Sequence, residues 1–272
     1  MKPLKIMHVW DQAGVACLLA KHHKIQGHTI DIYKRTGYDP FGILKFYQVP
    51  ELNLDGPDFL NFVIEKSSSY DIIHIHSIPS LAPRIKKKIP NKKIVLHYHG
   101  SDIRKKSITE IREYNKHADY LIVAAADLLE WLPEANYIPI PVDTEHFVHQ
   151  KRCSEKAFTL YSDSDFPSKS ENLLKKHGFE LHIQYINRLK SPIIQYADIP
   201  CFLKDFGTYV DIRFYDKNNL INSYSKTALE CLALGLKVLG PSLKFEQNLP
   251  EIHNSKNVAE EVMLIYHKLS SK

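Results

Sequence analysis

The sequence of 272 residues predicts an α/β chain of two consecutive Rossmann-like units, their parallel sheets facing across a cleft. Three observations carry this. Short apolar runs alternate with stretches of helical spacing, the pattern of βαβ units. The pattern breaks at the polar stretch 147–155 and then restarts. A hydrophobic fraction of 44% supplies core enough for two small domains.

In order, 4–10 reads as a buried strand and 13–26 as a helix stopped by Gly27, a residue type suited to the left-handed turn after a helix. Residues 29–33 form the next strand, and 35–53, with its Gly and Pro, is a long loop. Helical spacing returns at 59–67, strand patterns at 70–76 and 93–98, a helix at 108–116, a strand at 120–125 and a short helix at 128–132. After the break, strands are expected at 156–161, 179–186, 209–214 and 237–239, and helices at 168–177, 200–206, 224–234 and 257–269. The expected domains are 1–147, 148–254 and a terminal helix within 255–272 that packs back on the first. In such sheets ligands bind at the carboxyl ends of the strands.

Charge and composition exclude several classes. Lys and Arg number 36 against 31 Asp and Glu, for a net charge of +5, too mild for charge-driven nucleic-acid binding. Mean hydropathy is −0.29, and no apolar run reaches the ~18 residues of a membrane span. The start, MKPLKIMHVWDQ, has no apolar signal stretch. Cys17, Cys153, Cys201 and Cys231 form no CxxC pair and read as buried free thiols in a reducing cytoplasm.

Four segments can carry chemistry. Asp11-Gln12-Ala13-Gly14 follows the first strand; a glycine there admits a ligand to the backbone, and a helix start offers N–H groups to an anion. It is no GxGxxG, and a plain strand-to-helix turn explains it equally. His74-Ile75-His76 and His97-Tyr98-His99 each place two imidazoles on one strand face, a spacing able to hold a metal, though half-buried strand-end histidines are common. His99-Gly100-Ser101-Asp102-Ile103-Arg104 gathers an imidazole, a carboxylate and a guanidinium in six residues, a set able to orient a hydroxyl acceptor and hold a charged donor. Finally, Asn222, Ser223, Ser225, Lys226 and Thr227 precede or open an apolar helix that carries Glu230. Amides and a lysine suit a phosphate, and a buried carboxylate needs a partner such as a ribose diol.

The ordered set resembles glycosyltransferase family 4: the Gly14 loop, Asp71-Ile72-Ile73-His74, the loop from His99 to Arg104, Pro141-Val142-Asp143-Thr144-Glu145-His146-Phe147, and Leu229-Glu230-Cys231-Leu232-Ala233-Leu234-Gly235. The likeness spans nearly the whole chain. It implies the GT-B architecture, a nucleotide-diphosphate-sugar as co-substrate, no cofactor, and metal-independent transfer with retention. By resemblance, His99 lies beside the donor sugar as the catalytic candidate, with Gly100, Asp102 and Arg104 on the acceptor and sugar side. Gly14 approaches donor phosphate and acceptor, the stretch from Ser223 to Thr227 faces the pyrophosphate, and Glu230 holds the ribose. Two departures stand out. Asn222 occupies the place of the family's first glutamate. The usual Gly-Arg and lysine on the donor phosphate are missing, with Lys169 the nearest counterpart and Asp163 and Asp165 unfavourable to phosphate.

The expectation is therefore a cytoplasmic hexosyltransferase-type enzyme acting on a glycan, lipid or small-molecule acceptor. Arg84, Lys86, Lys87 and Lys88 read plainly as a solvated helix end, and more sharply as a peripheral contact with anionic lipid at the inner membrane face. The alternative is a catalytically inactive GT-B protein serving as a nucleotide-sugar sensor or complex subunit. A third reading is a metal hydrolase built on His74, His76, His97 and His99.

Overall fold

The computed structural model describes residues 2–11, 13–104, 106–151, 154–162, 166–190, 192–216 and 219–271. Two compact units emerge, one of 1–39, 43–141 and 252–272, the other of 40–42 and 142–251. Each is built on its own parallel-dominated sheet, the α/β class that the alternating pattern predicts.

The first sheet is parallel throughout. Its strands are β1 (Lys5–Val9), β2 (Thr29–Tyr33), β3 (Ile72–His76), β4 (Lys93–Tyr98), β5 (Tyr120–Val123) and β6 (Asn136–Tyr137), in the order β2-β1-β3-β4-β5-β6. The chain order reverses at β1 and β3, the switch point where open sheets of this kind bind ligands. Helices cover both faces: α1 (Val15–Ile25), α2 (Ile43–Phe46), α3 (Gly56–Lys66), α4 (Leu81–Lys88), α5 (Ser101–Arg104) and α6 (Ile108–Asn115). On one face Ile6, Ile72, Val95 and Ile122 meet Val15, Ala16 and Leu19. On the other, Met7, Ile73, Ile75 and Ile94 meet Phe59, Val63, Leu81 and Ile85. Alternate strand residues thus feed opposite cores.

Local signals set several ends. Asp55 accepts from the Asp58 amide at 2.8 Å, with Pro57 inside the first turn of α3. Ser107 accepts from Glu110 to start α6. Both are N-cap arrangements that satisfy amides the helix cannot. Leu81–Lys88, whose basic residues read as a solvated helix end, is a helix with Leu81, Ala82 and Ile85 inward.

The second sheet runs β11-β10-β9-β7-β8, from β7 (Ala157–Tyr161), β8 (Ile183–Asn187), β9 (Thr208–Val210), β10 (Lys237–Leu239) and β11 (Phe245–Glu246). Among the described strands of this sheet, only the β10–β11 pair is antiparallel. Its helices are α7 (Phe166–Lys176), α8 (Ile199–Phe202) and α9 (Lys226–Ala233). The strand expected at 179–186 begins only at Ile183, where its pairing with β7 starts at Ala157; Phe179 and Leu181 before it pack on the core of Leu174, Val210, Ile212 and Leu239.

The last helix, α10 (Ser255–Ser270), belongs to the first unit. Val258, Val262, Tyr266 and Leu269 join the core that α1 closes. His23 Nε2 meets the Ala259 carbonyl at 2.8 Å, and His22 Nε2 meets Ser255 Oγ at 2.9 Å. Among the described residues, no helix is long and apolar enough to cross a membrane. Cys17 and Cys231 are buried, but Cys201 is exposed, contrary to expectation, because α8 turns it outward. Cys153 lies outside the described residues.

Candidate functional site

The carboxyl edge of the first sheet is strained. Trp10, Ala13 and Ser77 take positive φ of 69°, 54° and 59°, immediately after β1 and β3. Such backbone costs energy for a side-chain-bearing residue and gathers at functional loops. The loop after β1 is held by Asp11. Its carboxylate accepts from the amides of Gly14 at 2.8 Å, Ala16 at 2.7 Å and Cys17 at 3.3 Å. Lys34 Nζ donates to the Asp11 carbonyl at 3.0 Å. The amides at the start of α1, expected to be open to an anion, are therefore occupied by the chain's own carboxylate. The aspartate neutralises the helix end that a phosphate would have used.

The loop after β4 follows the same logic. Asp102 accepts from the His99 amide at 2.9 Å and the Gly100 amide at 2.7 Å. Its carboxylate shapes the loop, where the sequence suggested it could orient an acceptor. Arg104 Nη2 donates to Asp127 Oδ2 at 2.6 Å, with both side chains almost wholly buried. That guanidinium is thus committed to a partner 23 residues away, and not presented to a donor. Gly100 has φ 132°, and a Cβ there would strike the same guanidinium. His99 is half-buried. Burial holds its pKa below the ordinary value against the opposing pull of Asp102 and Asp11.

Behind His99 the sheet carries a ladder of imidazoles. Parallel register sets His8 beside His74 and His76 beside His97, and the two-residue spacing keeps the rings on one face. His8 Nδ1 and His76 Nε2 are 2.9 Å apart, and His76 Nδ1 and His99 Nε2 are 3.1 Å apart. A second line runs from the Tyr266 hydroxyl to His74 Nδ1 at 2.5 Å, and from His74 Nε2 to His97 Nδ1 at 3.2 Å. The rings of His74 and His76 stack with centroids 4.2 Å apart, those of His97 and His99 4.3 Å apart. Burial drives His8 down to about 3, and His74, His76 and His97 well below the usual imidazole value. The ladder is neutral at pH 7. His8 and Tyr266 were not singled out from the sequence; their place depends on strand register and on α10.

In the second unit the start of α9 is also capped from within. Ser225 Oγ accepts from the Ala228 amide at 3.0 Å, and the Ser225 amide donates to Asp211 Oδ2 at 2.7 Å. Arg213 Nε donates to Asp211 Oδ1 at 3.0 Å, and its Nη2 to the Ser223 carbonyl. One turn on, Glu230 is buried at 3% exposure. Burial raises its pKa to about 7, opposed by Lys226 and by a hydrogen bond from Tyr196, and assisted by Asp143. Lys226 Nζ stands 3.9 Å from Glu230 Oε1. That oxygen has no hydrogen-bond partner among the described residues. The structure thus brings Ser223, Ser225, Lys226 and Glu230 together and adds Asp211, Arg213, Tyr196 and Asp143. Thr227 lies half-buried on the same turn, and Asn222 is exposed before it. Lys169 sits on a different helix, α7. Asp163 and Asp165 lie outside the described residues.

No known family model matches the chain, and no curated protein does either. Among solved structures, the spinosyn forosaminyltransferase SpnP aligns over 99% of this chain and 95% of its own, at 11% identity and a TM-score of 0.45. The UDP-GlcNAc 2-epimerase from Neisseria meningitidis, bound to UDP-GlcNAc, aligns over 98% and 94%, at 11% identity and 0.48. The spinosyn rhamnosyltransferase SpnG, complexed with thymidine diphosphate, aligns over 98% and 95%, at 10% identity and 0.42. Likenesses at this level establish neither family nor activity, so the functional reading rests on the sites themselves.

Proposed function

We propose that this chain is a hexosyltransferase-type glycosyltransferase of the GT-B kind, moving a sugar from a nucleotide-diphosphate-sugar to a hydroxyl of a glycan, lipid or small molecule. Retention at the anomeric carbon and a transfer step needing no metal belong to the same reading, which takes them from the family resemblance. The carrying observation is Glu230: a buried carboxyl, raised to about 7, whose Oε1 receives no hydrogen bond among the described residues and has only the Lys226 ammonium 3.9 Å away. A buried acceptor oxygen without a donor is costly, and the vicinal hydroxyls of a ribose would supply that donor. Lys226 supplies positive charge on the same helix for the departing diphosphate, whose stabilisation as the C1–O bond breaks lowers the barrier. In the first unit, His99, neutral and half-buried on a strained edge, is the group for the sugar side.

One observation favours the second reading, an inactive sensor or subunit. Asp11 and Asp211 bring carboxylates to the two helix starts where a diphosphate is expected. The deciding experiment is a thermal-shift screen against nucleoside diphosphates and nucleotide sugars, followed by a transfer and hydrolysis assay on whatever binds. A ligand at a hundredfold excess over Kd stabilises by about 2.7 kcal/mol. A shift with one base, abolished in Glu230→Ala, together with turnover, supports the transferase. Binding without turnover supports the sensor. No shift across the panel with folded protein refutes the Glu230 assignment.

A further inference from the structure

The imidazole ladder is larger than sugar-side chemistry at His99 requires, and its outer end has the composition of a metal centre. One ring nitrogen from each of His76, His97 and His99 lies within 4.8 Å of the other two. We propose that these three histidines bind a borderline-soft divalent cation of the Zn²⁺ type, with solvent completing a tetrahedral shell.

Four features support this triad. His97 Nε2 is buried and has no hydrogen-bond partner among the described residues, so a lone pair or a proton there is unsatisfied until something binds. His76 Nδ1 and His99 Nε2 are 3.1 Å apart, close to the ~3.3 Å that Zn–N bonds of about 2.0–2.1 Å imply for adjacent tetrahedral ligands. A cation would replace the single proton now shared between them. Each buried ligand has its other nitrogen already held: His97 Nδ1 by His74 Nε2, and His76 Nε2 by His8 Nδ1. Ligand histidines are ordinarily fixed in this way, by a hydrogen bond at the far nitrogen that sets tautomer and orientation. If His97 binds through Nε2, its Nδ1–H donates to His74, whose Nδ1–H donates to the Tyr266 oxygen. Finally, His99 is the one ligand of the three that is not fully buried, which puts it on the side an ion would enter from, and its amide is anchored by Asp102.

The inner triad of His8, His74 and His76 also has its nitrogens close together, but it is the poorer site. Its three rings are wholly buried, and both nitrogens of His74 are already engaged, by Tyr266 and by His97. An all-imidazole donor set suits Zn²⁺, Co²⁺, Ni²⁺ or Cu²⁺ and disfavours Mg²⁺ or Ca²⁺, which take oxygen ligands. The inference does not depend on glycosyl transfer, because its readout is the metal itself, and a cation on His99 Nε2 would take that nitrogen away from the sugar-side role proposed above.

The test is titration of chelator-stripped full-length protein with Co²⁺, read by visible absorption, followed by displacement with Zn²⁺. The expected result is one ion per chain and a tetrahedral Co²⁺ spectrum that Zn²⁺ removes. His97→Gln should weaken binding at least tenfold, Tyr266→Phe should weaken it less, and His182→Gln, on an exposed residue of the other unit, should leave it unchanged. Circular dichroism confirms that each variant is folded. Absence of a tetrahedral spectrum, or unchanged affinity in folded His97→Gln, overturns the proposal. If His97→Gln does not fold, long-range 1H–15N spectra of the wild-type chain decide instead. Zn²⁺ must shift the ring nitrogens of His76, His97 and His99; binding that leaves them in place overturns the site.

Discussion

Replacing Glu230 with glutamine should stabilise the second unit by an amount that grows with pH. Glu230 carries a pKa of about 7 in the fold, raised first by burial, against 4.5 for a free side chain. A carboxyl raised by folding resists ionisation in the native state. Its contribution to stability is complete below the unfolded value and is lost as pH climbs through 7. Linkage with these two values gives a cost of about 0.8 kcal/mol at pH 5 and about 3.3 kcal/mol at pH 8. Glutamine keeps the shape and an oxygen for Tyr196 but has no charge to desolvate. Whatever constant difference the substitution introduces, the gap between variant and wild type should therefore move by about 2.5 kcal/mol in favour of glutamine from pH 5 to pH 8. Comparing two proteins at each pH cancels the titration of every other group. Both tryptophans, Trp10 and Trp131, lie in the first unit, so tryptophan fluorescence would not follow the right transition. Hydrogen exchange of the amides of α9, corrected for intrinsic rate and measured across a urea series, reports the local opening energy. A gap that stays within about 0.5 kcal/mol across this range, beyond the error of such extrapolations, would refute the claim that burial dominates at Glu230. The unpartnered Oε1 would then have lost its force as a binding signal.

Two further expectations concern the first unit. His23 is held down to about 4 by burial, against its hydrogen bond to the Ala259 carbonyl, while an unfolded histidine titrates near 6.5. The unfolded chain therefore gains the proton first, and stability falls as pH drops from 6.5 towards 4, by about 2 kcal/mol at pH 5 from this residue alone. An NMR titration should find the His23 ring neutral at pH 5.5; a midpoint near 6.5 rules the account out. The Arg104–Asp127 pair, with side chains 7% and 6% exposed, should behave as a buried ion pair. Asp127→Ala strands the guanidinium and should cost about 3–5 kcal/mol, whereas Arg104→Met with Asp127→Leu should cost far less. Urea unfolding followed at the tryptophans measures both, and equal losses would place the pair in effective contact with solvent.

What the sequence disclosed and what it withheld divide along the range of the interaction. Short apolar runs gave 29–33, 93–98 and 237–239 with the observed bounds, because a strand's burial is written in its own residues, alternating along 29–33 and continuous through 94–98. The two-residue strands Asn136–Tyr137 and Phe245–Glu246 have no such pattern, and exist only because a neighbouring strand offers free carbonyls and amides. The candidate site divides in the same way. Ser225 caps α9 through a contact only three residues long, yet the apolar spacing alone set the helix start at 224, two residues before the observed Lys226. Asp211 on the Ser225 amide, 14 residues away, was not readable. Asp11 is the instructive intermediate. Its spacing to Gly14 and Ala16 is that of a capping carboxylate, and that local signal outweighs the attraction of a glycine-bearing turn to an outside anion, since an internal carboxylate is always present at its helix while a ligand must be gathered from solution. For the histidines, each HxH pair fixes two rings on one face but says nothing of a third. The third nitrogen comes from parallel register between β3 and β4, and the orientation of each ring from β1 and α10. A pair judged alone is a common strand-end feature. The same pair beside a second, with its far nitrogens held and one near nitrogen left empty, is an arrangement that packing alone does not require.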